Sequence, residues 1–163
     1  MGESDAPVFN GTIDHASIVI EEGFRQARHI VRILTKRLEP ACWERTAIID
    51  AARAFLERGD TELHIIVEQF GPTNCTHENR FLQAVLECGG ERVHLRTMPT
   101  NIVSMYRYNF MTVDEVGYRF EEDRDEHVAV VAGGDVHKAR TNKLITMFDS
   151  VLEPHAQLVL EAA

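Results

Sequence analysis

The side chains best able to do chemistry are eight histidines, three cysteines and a few cations that follow apolar runs. The histidines are scattered at His15, His29, His64, His77, His94, His127, His137 and His155. None forms the i, i+4 pair that puts two imidazoles on one helix face for a metal, as HExxH does. His29, His64, His94 and His127 fall at or inside strand-like runs, which points to sheet-face or strand-end positions. A pH-sensing cluster would draw on the same imidazoles, because the free side chain titrates at about 6.5. Cys42, Cys75 and Cys88 contain no CxxC pair, so neither a disulfide framework nor a zinc ribbon is supported. Buried or free thiols are the simpler reading. Cys42 precedes a helix, whose dipole would lower its pKa, but nothing in the sequence marks a partner. No Gly-x-Ser-x-Gly, P-loop or GxGxxG occurs, which removes nucleophile-elbow hydrolysis and the usual nucleotide cradles.

The elements that must position these groups read as one domain of 163 residues, 44% apolar and 26% charged. Residues 1–13, rich in Gly, Asp, Glu and Pro, form a flexible N-terminal arm; residues 14–163 form the domain. Asp14 caps a helix reaching Ala27, and His29–Thr35 alternates as a strand. A helix over Trp43–Arg58 carries Ile48, Ala51, Ala52, Phe55 and Leu56 on one stripe and stops at Gly59. Leu63–Gln69 is a second strand, His77–Cys88 a helix and Val93–Met98 a third strand. This alternation implies a parallel sheet covered by helices. The second half departs from that alternation. Asn109–Asp114 and Gly117–Glu122 read as a hairpin, and His127–Ala132 as another strand. Glu121–Glu126 (EEDRDE) is a charge run, read as a solvated loop. A last helix carries Leu144, Ile145, Phe148, Val151 and Leu152. The fold class is α/β, a mixed parallel and antiparallel sheet with helices on both faces.

The order of these elements resembles one half of the phospholipase D superfamily fold. ASIVIEEGFRQARHIVRILTKRLEP is similar to its opening helix and strand, TAIIDAARAFLERGDTELHIIVE to its second unit. YRYNFMTVDEVGYRFEED occupies the place of the signature hairpin, and LITMFDSVLE that of the closing helix. In the family, the signature His-x-Lys-x-x-x-x-Asp supplies a histidine that attacks phosphorus and a lysine that holds the phosphate oxygens. Aligned on Asp114, the histidine position is Arg107 and the lysine position is Asn109. The Gly-Ser-x-Asn-like segment expected shortly afterwards is replaced by GYRFEEDRDEH. Arginine is protonated at any physiological pH and cannot act as the nucleophile. A neutral amide offers no charge against a phosphoryl dianion. The resemblance therefore implies a catalytically inactive phospholipase D-like domain, serving as a binding, regulatory or interaction module. The alternative is a divergent phosphodiesterase or nuclease that uses other residues, such as His127 or His94, in the same cleft. A third possibility is an effector-sensing part of a transcription regulator, with DNA contact supplied by a partner protein.

Ligands of open α/β sheets gather beyond the carboxyl ends of the parallel strands. Those ends contribute Lys36, Arg37, Thr97 and Thr100 to the candidate cleft, and the resemblance implies that Arg107, Asn109 and Asp114 face the same cleft. Its cations on an acidic protein suit an anionic small molecule or an acidic partner protein. The Gly-Asp-x-His shape of Gly134–His137 is similar to a piece of the metallophosphatases. It lacks their upstream Asp-x-His, and Asp135 as a helix cap explains it without a metal. No cofactor and no metal are expected. The formal net charge of −9 disfavours general nucleic-acid binding, which depends on Lys and Arg neutralising phosphates. No run of about 18 apolar residues occurs, so no membrane span is expected. The first residues lack the layout of a secretory signal, and a cytoplasmic location follows as the expectation. Single-copy superfamily members commonly pair two halves across the signature region, so a homodimer is the expected assembly.

Overall fold

The computed structural model of the chain describes residues 6–68, 78–98, 107–123, 128–152 and 157–158. Eight strands form one sheet: β1 (Val8–Asn10), β2 (Ile30–Thr35), β3 (Glu62–Val67), β4 (Val93–Thr97), β5 (Asn109–Val113), β6 (Gly117–Glu121), β7 (Ala129–Gly133) and β8 (Gln157–Leu158). Their spatial order is β1-β7-β6-β5-β2-β3-β4-β8. β2, β3 and β4 run parallel, while β5, β6, β7 and β1 extend the sheet antiparallel from the edge of β2. The mixed α/β sheet expected from the sequence is the observed one.

Four helices, α1 (Ile13–Gln26), α2 (Pro40–Trp43), α3 (Thr46–Glu57) and α4 (Arg80–Gly89), lie on one side of the sheet, and α5 (Lys138–Leu152) packs on the other. The period-two alternation of the strands divides their side chains between these layers. Val31, Ile33, Leu63, Ile65, Val93 and Leu95 face the four-helix layer. Leu34, Ile66, Phe110 and Tyr118 face Leu144, Phe148 and Val151 of α5. Phe24 lies 6.0 Å from Phe55 and 6.2 Å from Phe81 between ring centroids, and Trp43 lies 5.1 Å from Phe81. These tilted rings tie α1, α2, α3 and α4 into one core.

Several boundaries move from their expected places. Thr12, not Asp14, caps α1, its side chain accepting from the His15 N–H at 3.1 Å. Asp14 sits in the first turn and pairs with Arg45 at 2.7 Å. The helix expected over Trp43–Arg58 is broken at Arg45, whose backbone is extended. That break lets Trp43 enter the core while the Arg45 guanidinium reaches Asp14, Ser17 Oγ and the Ala41 carbonyl. The arm contains β1, which pairs with β7 at the sheet edge and leaves Phe9 72% exposed. Asp135 opens a short 3₁₀ turn ahead of α5 instead of capping that helix. Glu121 falls in both the expected strand Gly117–Glu122 and the charge run read as a solvated loop; it ends β6 and is buried, so the solvated reading does not hold for it.

Candidate functional site

A cavity of about 340 Å³ opens at the carboxyl end of β2, between that strand, the β5–β6 hairpin, α1 and α2. Its apolar wall includes Ile13, Ala16, Trp43 and Met111. Its polar wall is set by register. Asn109 stands opposite Glu121 and Met111 opposite Arg119, so all four side chains leave the same face of the hairpin. Both polar atoms of the Asn109 amide are engaged: its Oδ1 accepts from the Lys36 N–H at 2.9 Å, and its Nδ2 donates to Glu121 Oε2 at 2.8 Å. The second Glu121 oxygen accepts from Arg119 Nη2. Arg119 is 6% exposed and Glu121 4%. Arg119 Nε is buried and has no hydrogen-bond partner among the described residues. A buried donor left unmade costs free energy until an acceptor reaches it.

Of the seven residues expected to share a cleft, three line this cavity: Lys36, Arg37 and Asn109. The charge is nearly balanced, because Arg37 pairs with Glu39 at 2.7 Å and Arg119 with Glu121. Thr97, two strands away on β4, does not line the cavity. Arg107 is exposed and does not line it either. Thr100 lies outside the described residues. Asp114 is at the opposite end of the sheet: five residues of β5 at roughly 3.4 Å each separate it from Asn109 by about 17 Å. Its carboxylate accepts from the backbone N–H groups of Arg28, His29 and Ile30 at 2.8–2.9 Å. It thus ties the hairpin turn, where its own φ is 50°, to the start of β2. That makes it a structural clasp, apart from the cleft.

Arg119 and Glu121 do not stand out in the sequence. The alternation Gly117-x-Arg119-x-Glu121 opposite Asn109-x-Met111 is the signal that marks them, once the hairpin register is known. Cys42 also lines the cavity, and burial pushes its thiol up to about 11. The expected lowering by a helix dipole is overturned because α2 is a single four-residue turn and desolvation outweighs the charges of Arg119 and Arg45. No histidine among the described residues lines this cavity; His94 lies on the α5 side, stacked on His64, and His127 is outside the described residues. A second, wider depression of about 1030 Å³ at the other end of β2 is lined by Arg25, Arg28, Arg32, Arg58 and Lys138 together with Asp114 and Glu115. More cations therefore gather there than at the carboxyl ends of the strands, where they were expected.

Solved structures that share the architecture include the following three. TrmBL2, an archaeal chromatin protein described as showing a novel mode of DNA binding, superposes with a TM-score of 0.65 at 14% identity. The match covers 95% of this chain but 55% of TrmBL2, so this chain spans little more than half that protein's length. NucT from Helicobacter pylori gives a TM-score of 0.64 at 10% identity, covering 92% of this chain and 97% of NucT. Phosphatidylserine synthase from Haemophilus influenzae Rd KW20 gives 0.60 at 12% identity, covering 94% of this chain and 39% of the synthase. At these identities the likeness shows the fold, which is phospholipase D-like as the sequence resemblance implied. The sequence matches none of the curated proteins it was compared with. A family model described as a domain of unknown function matches residues 13–154.

Proposed function

Because the chain belongs to the family DUF7931 and folds like phospholipase D, we propose that it is a non-catalytic member of that fold whose cleft binds a small amphiphilic anion. One observation carries this reading: the nearly fully buried Arg119, whose Nε has no hydrogen-bond partner among the described residues, lines a cavity also walled by Trp43, Met111 and Ala16. An oxygen acceptor on the ligand would satisfy that donor, and an apolar body would cover the aliphatic and indole wall. Lys36 and Arg37 at the rim favour negative charge on the polar end.

The loss of catalysis is supported by residue chemistry. The family's histidine and lysine positions hold Arg107 and Asn109, and both ends of the Asn109 amide are already bonded within the protein. The Cys42 thiol stays protonated at neutral pH, so it offers no ready nucleophile. DNA binding is a property of TrmBL2 by its description. Here the net charge of −9 weighs against it.

The test is hydrolysis of bis(p-nitrophenyl) phosphate and of single- and double-stranded DNA, in EDTA and with added divalent metals. No turnover above buffer is expected, and no duplex retention at physiological salt. Turnover that disappears in His127→Ala would overturn the binding reading in favour of a divergent phosphodiesterase.

A further inference from the structure

On the α5 side of the sheet, far from the cleft, three ligand-type side chains converge at the start of β3 and β4. Glu62 and His64 are two residues apart on β3 and therefore leave the same face. His94 stands directly opposite His64 in the parallel register of β3 and β4. The two imidazoles stack with centroids 4.3 Å apart and an interplanar angle of 29°. Glu62 Oε2 lies 2.8 Å from His64 Nε2 and 3.6 Å from His94 Nε2. One donor atom from each residue lies within 4.8 Å of the other two.

We propose that Glu62, His64 and His94 bind a zinc ion, with a fourth coordination position open to water. Tetrahedral zinc with bonds of roughly 2.0–2.1 Å places neighbouring donor atoms about 3.4 Å apart, between the two separations observed. Stacked rings send their nitrogen lone pairs nearly parallel, so admitting the ion requires the partly exposed His94 ring to turn out of the stack and the exposed Glu62 side chain to swing, the ion taking the place of the proton Glu62 now shares with His64. Two imidazoles and one carboxylate form the three-protein-ligand set of open zinc sites. Nitrogen donors select zinc over magnesium or calcium, which prefer all-oxygen shells. The side chains are 18% (His64), 53% (Glu62) and 33% (His94) exposed, so the ion has a path in from solvent. Phe148 of α5 meets the His64 ring edge-on at 6.5 Å and holds its orientation. Arg32, beside His64 on β2, opposes a dication, and the Glu62 carboxylate offsets it.

These three residues are independent of the cleft, which lies at the other end and on the other face of the sheet. The experiment is calorimetric titration of the untagged, EDTA-stripped full chain with zinc chloride, repeated on Glu62→Gln and His94→Ala. One equivalent is expected to bind, and each substitution is expected to weaken binding by more than the roughly 10–100-fold that a lost supporting partner costs. Far-UV circular dichroism checks that both variants fold; Glu62→Gln removes only an exposed charge and keeps the side-chain shape. No saturable binding to the parent protein overturns the site. Binding of unchanged affinity in both variants also overturns it, because the ion then sits on other histidines.

Discussion

Removing the Asp114 carboxylate leaves three backbone N–H groups without their acceptor at the start of β2. Asp114→Ala is expected to lower stability in urea denaturation by about 1–2 kcal/mol, the range of a lost terminal cap. Asp114→Asn is expected to lose less, since it keeps an acceptor oxygen and tolerates the positive φ. The Arg119–Glu121 pair obeys a different rule. Arg119→Met alone strands a buried carboxylate and is expected to cost about 3–5 kcal/mol, while Arg119→Met with Glu121→Leu is expected to recover most of that loss. His64 supplies a pH signature. Burial holds its pKa below the ordinary value, His94 and Arg32 push the same way, and the hydrogen bond to Glu62 opposes them. The unfolded chain therefore takes up a proton at about pH 6.5 that the folded chain refuses. Stability is complete above that pH and falls as pH drops towards the folded His64 value. Glu62, whose pKa is lowered chiefly by the hydrogen bond from His64, removes more stability below about 4.5. In EDTA, the fall in urea midpoint between pH 7.5 and 5.5 is expected to shrink in His64→Gln. At this scale the sequence already points to Lys36 and Arg37, because strand ends are visible in hydropathy, and to Asn109 through its place in the signature alignment. Arg119 and His94 are not legible: each acquires its role from a strand partner that spacing alone does not reveal.

The elements that are legible are those whose own period declares them. The α3 stripe of Ile48, Ala51, Ala52, Phe55 and Leu56 is buried as its spacing requires. β2, β3 and β4 fall within two residues of their expected limits. What spacing misses depends on distant contacts. α2 separates from α3 because Arg45 bonds back to α1, and β1 exists because β7 offers an edge. The α4–β4 junction gives the test that belongs here. A Cβ on Gly89 would lie 2.5 Å from Val93 Cγ2 and 3.1 Å from Leu56 Cδ1. Valine is stiff at χ1 and cannot swing clear. Gly89→Ala is therefore expected to destabilise by about 1–3 kcal/mol, against the roughly 1 kcal/mol that alanine's helix preference would add. In a Val93→Ala background the cost of the same substitution is expected to shrink, read from paired urea midpoints.

For the whole molecule, polar function is distributed to opposite ends of one sheet: a nearly neutral, half-apolar cavity at the carboxyl end of β2, and cations and imidazoles at the other. Pairing of two copies is an expectation that rests on the superfamily resemblance and on the general frequency of closed two-fold assemblies. Light scattering at micromolar concentration is expected to give the mass of a dimer, and a monomer would contradict it. The most direct measurement of the proposed role uses Trp43, the single tryptophan of the chain, which lines the cavity itself. Octyl phosphate supplies an apolar body and an anionic end, with octanol and inorganic phosphate as the separated halves. Titration of the full chain with octyl phosphate is expected to give a saturable change in Trp43 fluorescence. Both halves should bind more weakly, and the Arg119→Met/Glu121→Leu double variant should lose at least about tenfold in affinity, the equivalent of one charge-assisted hydrogen bond. No saturable change, or equal affinity in the double variant, would contradict the assignment of this cavity as the binding site.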